Sequence, residues 1–212
     1  MCHDRNRCHH PDRQLHSRNV EDLRYPILLA LFPALSSAQD GQVDNSPVTS
    51  FDLSKYLGTW YEIARFDHIF ERGLENVTAE YLLRDDGKVN VINSGWKGGK
   101  YKVADGKAKQ PDPLADPAHL KVSFFMFFYN DYNIMMLDDN YQIALVGSKS
   151  PDYLWILSRK PVQPDAVLSI LVEEAESRGY DTSKLIWVDQ TMNEIVFDRE
   201  TAGTTYLRVV PV

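Results

Sequence analysis

The sequence predicts an all-β protein, an eight-stranded antiparallel up-and-down β-barrel with one C-terminal α-helix packed outside it. Three observations predict this fold: eight short segments rich in β-branched and aromatic residues follow one another, turn residues separate them, and no helical pattern stands between them. Strands joined by short turns form a meander, and closure of eight strands removes both exposed sheet edges. The predicted strands are residues 59–66, 77–83, 88–94, 100–109, 119–125, 132–137, 141–147 and 153–158.

The connections between these strands support the meander. Asp86-Gly87 supplies the positive backbone angles of a tight hairpin, and residues 137–140 and 148–152 are breaks of a similar kind. The connection over residues 68–75 is the longest near the expected open end and mixes apolar with charged side chains. We therefore expect it to form a lid. The proline-rich segment 110–117 cannot continue a strand.

One helix is predicted after the eighth strand. Pro164 suits a first helical position, and Gly179 suits a terminal cap. Apolar residues at helical spacing between them predict one face packed on the barrel: Val167, Leu168, Leu171 and Ala175. A strand over residues 185–188 is expected to return to the barrel. Residues 191–212 are expected to form a tail, with one added strand at 194–198.

The N-terminal region has the pattern of a secreted protein. The apolar run 26–35 follows Arg24 and precedes small residues that end at Ala38, which is typical of a signal peptide. At about ten residues this run is too short to cross a bilayer. We predict a non-native N-terminal extension plus signal peptide over residues 1–38, a linker over 39–50, a barrel domain over 51–190 and a C-terminal tail over 191–212.

The composition excludes several kinds of chemistry in the mature chain. Cleavage after Ala38 would remove both cysteines, Cys2 and Cys8, and leave two histidines, His68 and His119. We therefore expect no disulfide, no metal site and no cofactor. Residues 1–38 hold five basic and four acidic side chains, so cleavage changes the net charge from -7 to -8. An acidic protein is not expected to bind nucleic acid.

Three separated motifs share an order and spacing. Gly-Thr-Trp-Tyr at 58–61 opens the first strand, Asp-Asp-Asn-Tyr at 138–141 precedes the seventh, and Arg159 ends the eighth. This arrangement resembles the lipocalin family. Residues 60–75, 89–93 and 120–125 resemble, more narrowly, the bacterial outer-membrane lipocalins, which are relatives of apolipoprotein D and the plant temperature-induced lipocalins. The resemblance covers residues 51–190 and implies a barrel that holds a small hydrophobic ligand.

The resemblance and the alternation of strand residues together nominate the site. The resemblance implies ligand contact for Trp155 and for Tyr129 at the mouth of the barrel. Side chains on a strand point in and out by turns, which adds further lining positions: Tyr81, Phe124, Val122 and Ala79. Four other residues are expected to be a structural signature of the closed end, with Arg159 stacked on a tryptophan: Gly58, Trp60, Tyr141 and Arg159.

An apolar lining suits a chain-like lipid, since each buried methylene contributes about 0.8 kcal/mol. The resemblance implies a fatty acid or lysophospholipid that is bound, stored or transported, in maintenance of the cell envelope under stress. No catalytic residue is expected. Two alternatives stay open: a lipid-modifying enzyme that uses His68 and Glu62, and a haem or porphyrin binder.

The leader also bears on location. In the subfamily that the chain resembles, the leader ends at a cysteine that is acylated and anchors the protein. Ala38 stands in that place here, so we expect a periplasmic or secreted protein without an outer-membrane lipid anchor. Peripheral association with the outer membrane and a homodimer stay open as partner states.

Overall fold

The computed structural model describes residues 43–125 and 128–201. The predicted extension over residues 1–38 and the end of the predicted tail lie outside the described residues. The described part holds a short 3₁₀ turn, Thr182–Lys184, and three helices: α1 (Leu53–Tyr56), α2 (Asp165–Ser177) and α3 (Thr191–Thr201). It also holds nine strands: β1 (Gly58–Arg65), β2 (Glu75–Leu83), β3 (Val89–Lys97), β4 (Lys100–Lys109), β5 (His119–Phe125), β6 (Phe128–Leu137), β7 (Ile143–Gly147), β8 (Leu154–Ser158) and β9 (Ile186–Trp187).

Strands β1 to β8 form a closed antiparallel up-and-down barrel, which confirms the predicted fold class. Each strand pairs with its neighbour in sequence, and β1 closes the barrel by pairing with both β2 and β8. Trp60 on β1 lies opposite Ala79 on β2, and Tyr61 lies opposite Ser158 on β8. The short strand β9 pairs with β1 on the outside of the barrel.

The alternating strand directions give the barrel two different ends. The connections β1–β2, β3–β4, β5–β6 and β7–β8 meet at one end, which we call the mouth. The opposite end, where α1 precedes Gly58, is the closed end. The longest connection at the mouth runs over residues 66–74 and is called the lid loop below.

Two apolar clusters hold the described part of the chain together. The first lies inside the barrel, with Trp60, Leu120 and Ile134 fully buried within it. The second lies between the barrel wall and α2, where Leu171 and Ala175 are buried. Helix α2 therefore covers one side of the barrel, and three of the four residues of its predicted face belong to this contact: Leu168, Leu171 and Ala175.

Strand β7 begins two residues later than predicted. Asp138 holds the preceding turn, since its Oδ1 accepts hydrogen bonds from the backbone N–H groups of Gln142 (2.5 Å) and Ile143 (2.7 Å). Tyr141 has a φ of 57°, a left-handed conformation outside the regular β region. The turn therefore extends through residue 142.

The added strand expected at residues 194–198 is wrong, because this segment belongs to helix α3. The first turn of α3 is capped: the backbone N–H of Thr191 donates to Asp189 Oδ1 (2.8 Å), and that of Met192 donates to Asn76 Oδ1 (2.8 Å). Thr191 and Glu194 also have the spacing of a capping box, a helix-start signal present in the sequence. None of the helices within residues 43–125 and 128–201 is long and apolar enough to cross a bilayer.

Candidate functional site

The closed end is built around Trp60. Its side chain is fully buried, and its Nε1 donates to the carbonyl oxygen of Tyr56 at 2.8 Å. The Arg159 guanidinium lies over the ring, with Cζ 3.9 Å from the ring centroid. A cation over an aromatic face is attracted by the quadrupole of the ring. Trp60 and Arg159 thus belong to the floor of the barrel rather than to its lining at the mouth.

Arg159 also joins α1 to the start of β1. Its Nη2 donates to the carbonyl oxygens of Lys55 (2.9 Å) and Leu57 (2.8 Å), and its Nη1 donates to that of Thr59 (2.7 Å). Carbonyl groups at a helix end lack hydrogen-bond donors within the helix, and the Arg159 guanidinium supplies these donors. Gly58 sits in the middle of this contact with a φ of 89°, which favours glycine.

Tyr141 closes the same end from the other side. Its hydroxyl accepts from the backbone N–H of Asp52 at 2.7 Å, and its carbonyl accepts from Arg159 Nε at 3.3 Å. A surface depression of about 450 Å³ lies next to it, lined by residues 48–52 and 137–139, Lys55 and Tyr141. This depression is at the closed end and outside the interior cluster, so we do not place the ligand site there.

Three tyrosine hydroxyls form a chain above the floor. The Tyr132 hydroxyl lies 2.8 Å from the hydroxyls of Tyr56 and of Tyr81. Burial raises the pKa of all three phenols, so they are neutral at ordinary pH. The predicted lining residue Tyr81 is therefore part of a small polar spot in an otherwise apolar interior.

The predicted lining residues Ala79 and Val122 belong to the same interior cluster, where each is buried. Phe124 lies closer to the mouth and is 44% exposed. Its ring packs over Gly106 on β4, where an added Cβ would lie 2.6 Å from Phe124 Cδ1. Gly106 thus leaves the space that the Phe124 ring occupies.

The variant Gly106→Ala is expected to lower the free energy of unfolding by about 1–3 kcal/mol, a usual cost of overpacking. The added methyl group would meet the Phe124 ring and also the carbonyl oxygen of Ser123 at 2.8 Å. Urea unfolding followed by tryptophan fluorescence measures the change. In a Phe124→Ala background the cost should fall, because the ring is gone. A cost that does not change in that background would contradict the ring contact as its cause.

Tyr129 does not line the interior. Its ring lies 4.6 Å from Lys109 Nζ, and Lys109 alternates on β4 with the interior residue Ala108. The expectation for Tyr129 came from the family resemblance. On β6, Tyr129 is next to Asn130, which pairs with the interior residue Val122. Successive side chains on a strand point to opposite faces. The structure therefore places Tyr129 on the outer face, over the lysines of β4.

Trp155 lies at the mouth within a buried polar cluster. Its Nε1 donates to Glu71 Oε2 at 3.1 Å. Glu71 belongs to the lid loop, yet it is only 8% exposed because its side chain reaches into the barrel. Below it, Arg65 Nη1 donates to Glu62 Oε1 at 2.6 Å, and both of these side chains are buried.

Arg65 also anchors the lid loop. Its Nη2 donates to the carbonyl oxygens of Glu71 (2.8 Å) and Leu74 (3.2 Å). The guanidinium thus contacts the Glu62 carboxyl and the backbone of the lid loop. Burial and the nearby charge of Glu71 raise the pKa of Glu62 well above its usual value. Burial alone would raise the pKa of Glu71 as well, but the contacts of that carboxylate with His68 and Trp155 lower it on balance.

His68, on the lid loop, is mostly buried. Its side chain is 12% exposed, and its Nε2 lies 2.6 Å from Glu71 Oε2, at ion-pair distance but without hydrogen-bond alignment. The imidazole also packs against Tyr153 and Trp155, with ring centroids 5.8 Å and 5.5 Å away. Asp67, its neighbour in sequence, pairs with Arg72 instead.

The sequence did not identify Glu71 or Arg65 as site residues. Both look like ordinary polar residues at the edge of a loop, and no periodicity shows that a loop side chain turns inward. The only signal is at the end of β1, where Arg65 shares a strand with Glu62 at a spacing of three. A regular strand would place these two on opposite faces, but the β1–β8 pairing shifts register between Glu62 and Ala64.

The Lipocalin-like domain family model matches residues 51–190. The chain belongs to the lipocalin family. Outer membrane lipoprotein Blc of Escherichia coli (strain K12) is 53% identical over 145 residues, which cover 68% of this chain and 81% of that protein. Apolipoprotein D of Bos taurus is 33% identical, over 78% of this chain and 95% of that protein. The solved structure of insecticyanin from the tobacco hornworm Manduca sexta is 26% identical, with a TM-score of 0.58 over 70% of this chain and 85% of that chain.

The comparisons contradict the expectation that this lipocalin has no lipid anchor. The relatives from Escherichia coli and Vibrio cholerae, at 53% and 47% identity, are both named outer membrane lipoprotein. The expectation depended on one position, Ala38, within a segment interpreted as a leader by its composition. The expectation of an unanchored periplasmic or secreted form is therefore corrected.

Proposed function

We propose that this lipocalin binds a single-chain amphipathic lipid, a fatty acid or a lysophospholipid, with the acyl chain inside the barrel and the head group at the mouth. One observation carries the proposal: the interior is apolar around Ala79, Val122 and Leu120, and ends in polar side chains where the barrel opens. An amphipathic lipid has the same order of apolar and polar parts. An eight-stranded barrel has room for one small ligand.

The energetics favour a chain-like ligand. Each methylene transferred from water contributes about 0.8 kcal/mol, and part of this gain offsets the entropy lost on binding. The family binds small hydrophobic ligands, which agrees with this assignment. The name of the bacterial relatives supports action at the outer membrane. Maintenance of the cell envelope under stress is the role that we propose there.

A titration tests the proposed function. A fluorescent single-chain fatty acid should bind saturably at one site per chain and be displaced by unlabelled fatty acid or by lysophospholipid. A two-chain phospholipid should not displace it. The variant Ala79→Phe places a large side chain in the interior, where it would occupy the space of the acyl chain. It should weaken binding at least tenfold, a loss of about 1.4 kcal/mol in binding free energy.

Glu80→Phe is the matched control, since Glu80 follows Ala79 on β2 and points to the other face. It should bind as tightly as the natural sequence. Equal affinity for the natural sequence and for Ala79→Phe would contradict binding inside the barrel. Urea unfolding of both variants verifies that each is folded under the conditions of the titration.

We do not advance the enzyme and haem alternatives. The two histidines of the described residues each lie beside a carboxylate, His68 beside Glu71 and His119 beside Asp131. Glu62, the carboxyl named with His68 in the enzyme alternative, pairs with Arg65 instead. Hydrolysis of a lysophospholipid that is lost in His68→Ala would revive that alternative.

A further inference from the structure

We propose that the mouth of the barrel contains a binding site for an anionic lipid head group, and that the lid-loop carboxylate of Glu71 occupies this site until the ligand replaces it. The inference rests on the proposed function and names the chemistry of the head group: a carboxylate or a phosphate. It also gives the lid loop a role, because the Glu71 side chain of this loop competes with the ligand for the same donors.

The donors converge on Glu71 from separate elements. Trp155 on β8 donates its Nε1 to Oε2 (3.1 Å), and Asn93 on β3 donates its Nδ2 to Oε1 (3.5 Å). His68 Nε2 lies 2.6 Å from Oε2. Trp155 and Asn93 are fixed on strands of the barrel wall, whereas Glu71 is carried by a connection. A movement of the lid loop can therefore remove the carboxylate and leave the strand donors in place.

Two further nitrogen atoms of the cluster are buried without a hydrogen-bond partner. Arg65 Nε and His68 Nδ1 are buried without a hydrogen bond, and the Arg65 side chain as a whole is 2% exposed. A buried polar nitrogen without a partner is unfavourable. Glu71 thus satisfies only part of the hydrogen-bonding capacity around it. A larger or differently placed anion can reach donors that Glu71 leaves unpaired.

The charges explain why Glu71 and a second anion exclude each other. The Arg65 guanidinium donates through Nη1 to the Glu62 carboxyl and through Nη2 to the backbone carbonyl oxygen of Glu71. Burial and the charge of Glu71 raise the pKa of Glu62, because like charges in the interior repel. An incoming carboxylate or phosphate would add a further negative charge while Glu71 stays in place, so both anions together are disfavoured. The exchange of Glu71 for a singly charged anion leaves the net charge of the cluster unchanged.

Substitution of Glu71 by glutamine distinguishes this proposal from the alternative that Glu71 only holds the lid loop in place. Glu71→Gln keeps the size of the side chain but removes the competing charge. Its affinity for oleate should rise about tenfold, within the range of coupling between two groups that exclude each other. Its affinity for oleyl alcohol, which has the same chain and no charge, should change by less than about twofold, which corresponds to roughly 0.4 kcal/mol. Displacement of a fluorescent lipid measures both affinities on the folded chain.

Two variants serve as controls. Asp67→Asn breaks the exposed ion pair with Arg72 in the same loop (2.7 Å) and should leave the oleate-to-alcohol ratio unchanged. Trp155→Phe keeps a ring but removes the N–H donor, so the double variant Glu71→Gln/Trp155→Phe should lose most of the gain for oleate. A lysophosphatidate with an 18-carbon chain distinguishes the two anions: whichever probe gains more in Glu71→Gln identifies the preferred head group.

Equal gains for oleate and oleyl alcohol in Glu71→Gln would overturn the inference, since they would show only a looser lid loop. A gain in oleate affinity that persists in the double variant would also overturn it. So would a ratio of oleate affinity to alcohol affinity that Glu71→Gln leaves unchanged. In each of these cases the proposed function would stand. If the natural sequence bound neither oleate nor the alcohol, the proposed function would be wrong and the inference with it.

Discussion

Replacing Glu62 by alanine is expected to lower the free energy of unfolding by about 3–5 kcal/mol, the usual cost of removing one partner of a buried ion pair. The Arg65 guanidinium is 2% exposed, and Glu62 is its only side-chain partner within hydrogen-bond distance among the described residues. Loss of the carboxyl would leave a buried positive charge with the more distant charge of Glu71 to offset it. Urea unfolding followed by tryptophan fluorescence measures the change.

Two comparisons give this prediction its control. Glu80→Ala removes a carboxylate from the outer face of β2 and should change the free energy of unfolding by no more than about 0.5 kcal/mol. The double variant Glu62→Leu/Arg65→Met should recover much of the loss, because apolar residues often replace a buried ion pair at little cost. A Glu62→Ala variant as stable as Glu80→Ala would contradict the buried pair.

Replacing Trp60 by alanine is expected to cost about 3–5 kcal/mol, as for large aromatic side chains in a core. The ring is fully buried, and it also supports the Arg159 guanidinium 3.9 Å from its centroid. Trp60→Ala would therefore leave a cavity and remove one face of the arginine contact. The same unfolding assay applies, with Trp187→Ala as the control, because Trp187 is 52% exposed and should cost much less.

A double-mutant cycle tests whether the two residues act together. Trp60→Phe and Arg159→Met, made singly and together, should show a coupling energy of about 0.5–3 kcal/mol, as expected for residues in direct contact. Losses that simply add would show that the stacked geometry contributes nothing to stability.

The fold could be predicted from the sequence because its signals are local. Eight strand-like segments, the Asp86-Gly87 turn and the apolar spacing that leads to Leu171 each report on a few neighbouring residues. A closed meander follows once consecutive strands pair, and it needs no long-range information. Helix α3 was missed although Thr191 and Glu194 have capping spacing, because the segment carries little apolar periodicity.

The candidate site was harder to predict, for two physical reasons. The face of a residue follows from strand pairing, whereas Tyr129 was expected in the lining from the family resemblance; it is next to Asn130, the partner of Val122, and lies on the outer surface over Lys109. Loops have no periodicity, so nothing in the sequence shows that Glu71 turns into the barrel while its neighbour Phe70 is 83% exposed. Ala79, Tyr81 and Val122 lie in the interior because they are on strands whose alternation is regular there.

The location could not be predicted from one position of a leader. Ala38 was compared with a pattern in which a cysteine is acylated, whereas the relatives at 47–53% identity carry the name of an outer membrane lipoprotein. Those matches extend over about two thirds of the chain. They are therefore stronger evidence on the location of the protein than the identity of one residue.

Native mass spectrometry of the purified protein, with extraction of the bound lipid, tests the central claim most directly. We predict one single-chain lipid per chain, a fatty acid or a lysophospholipid, bound to the natural sequence and to Glu80→Phe but lost from Ala79→Phe. The barrel interior would then be the binding site. A two-chain lipid, or an adduct that Ala79→Phe retains in full, would contradict it.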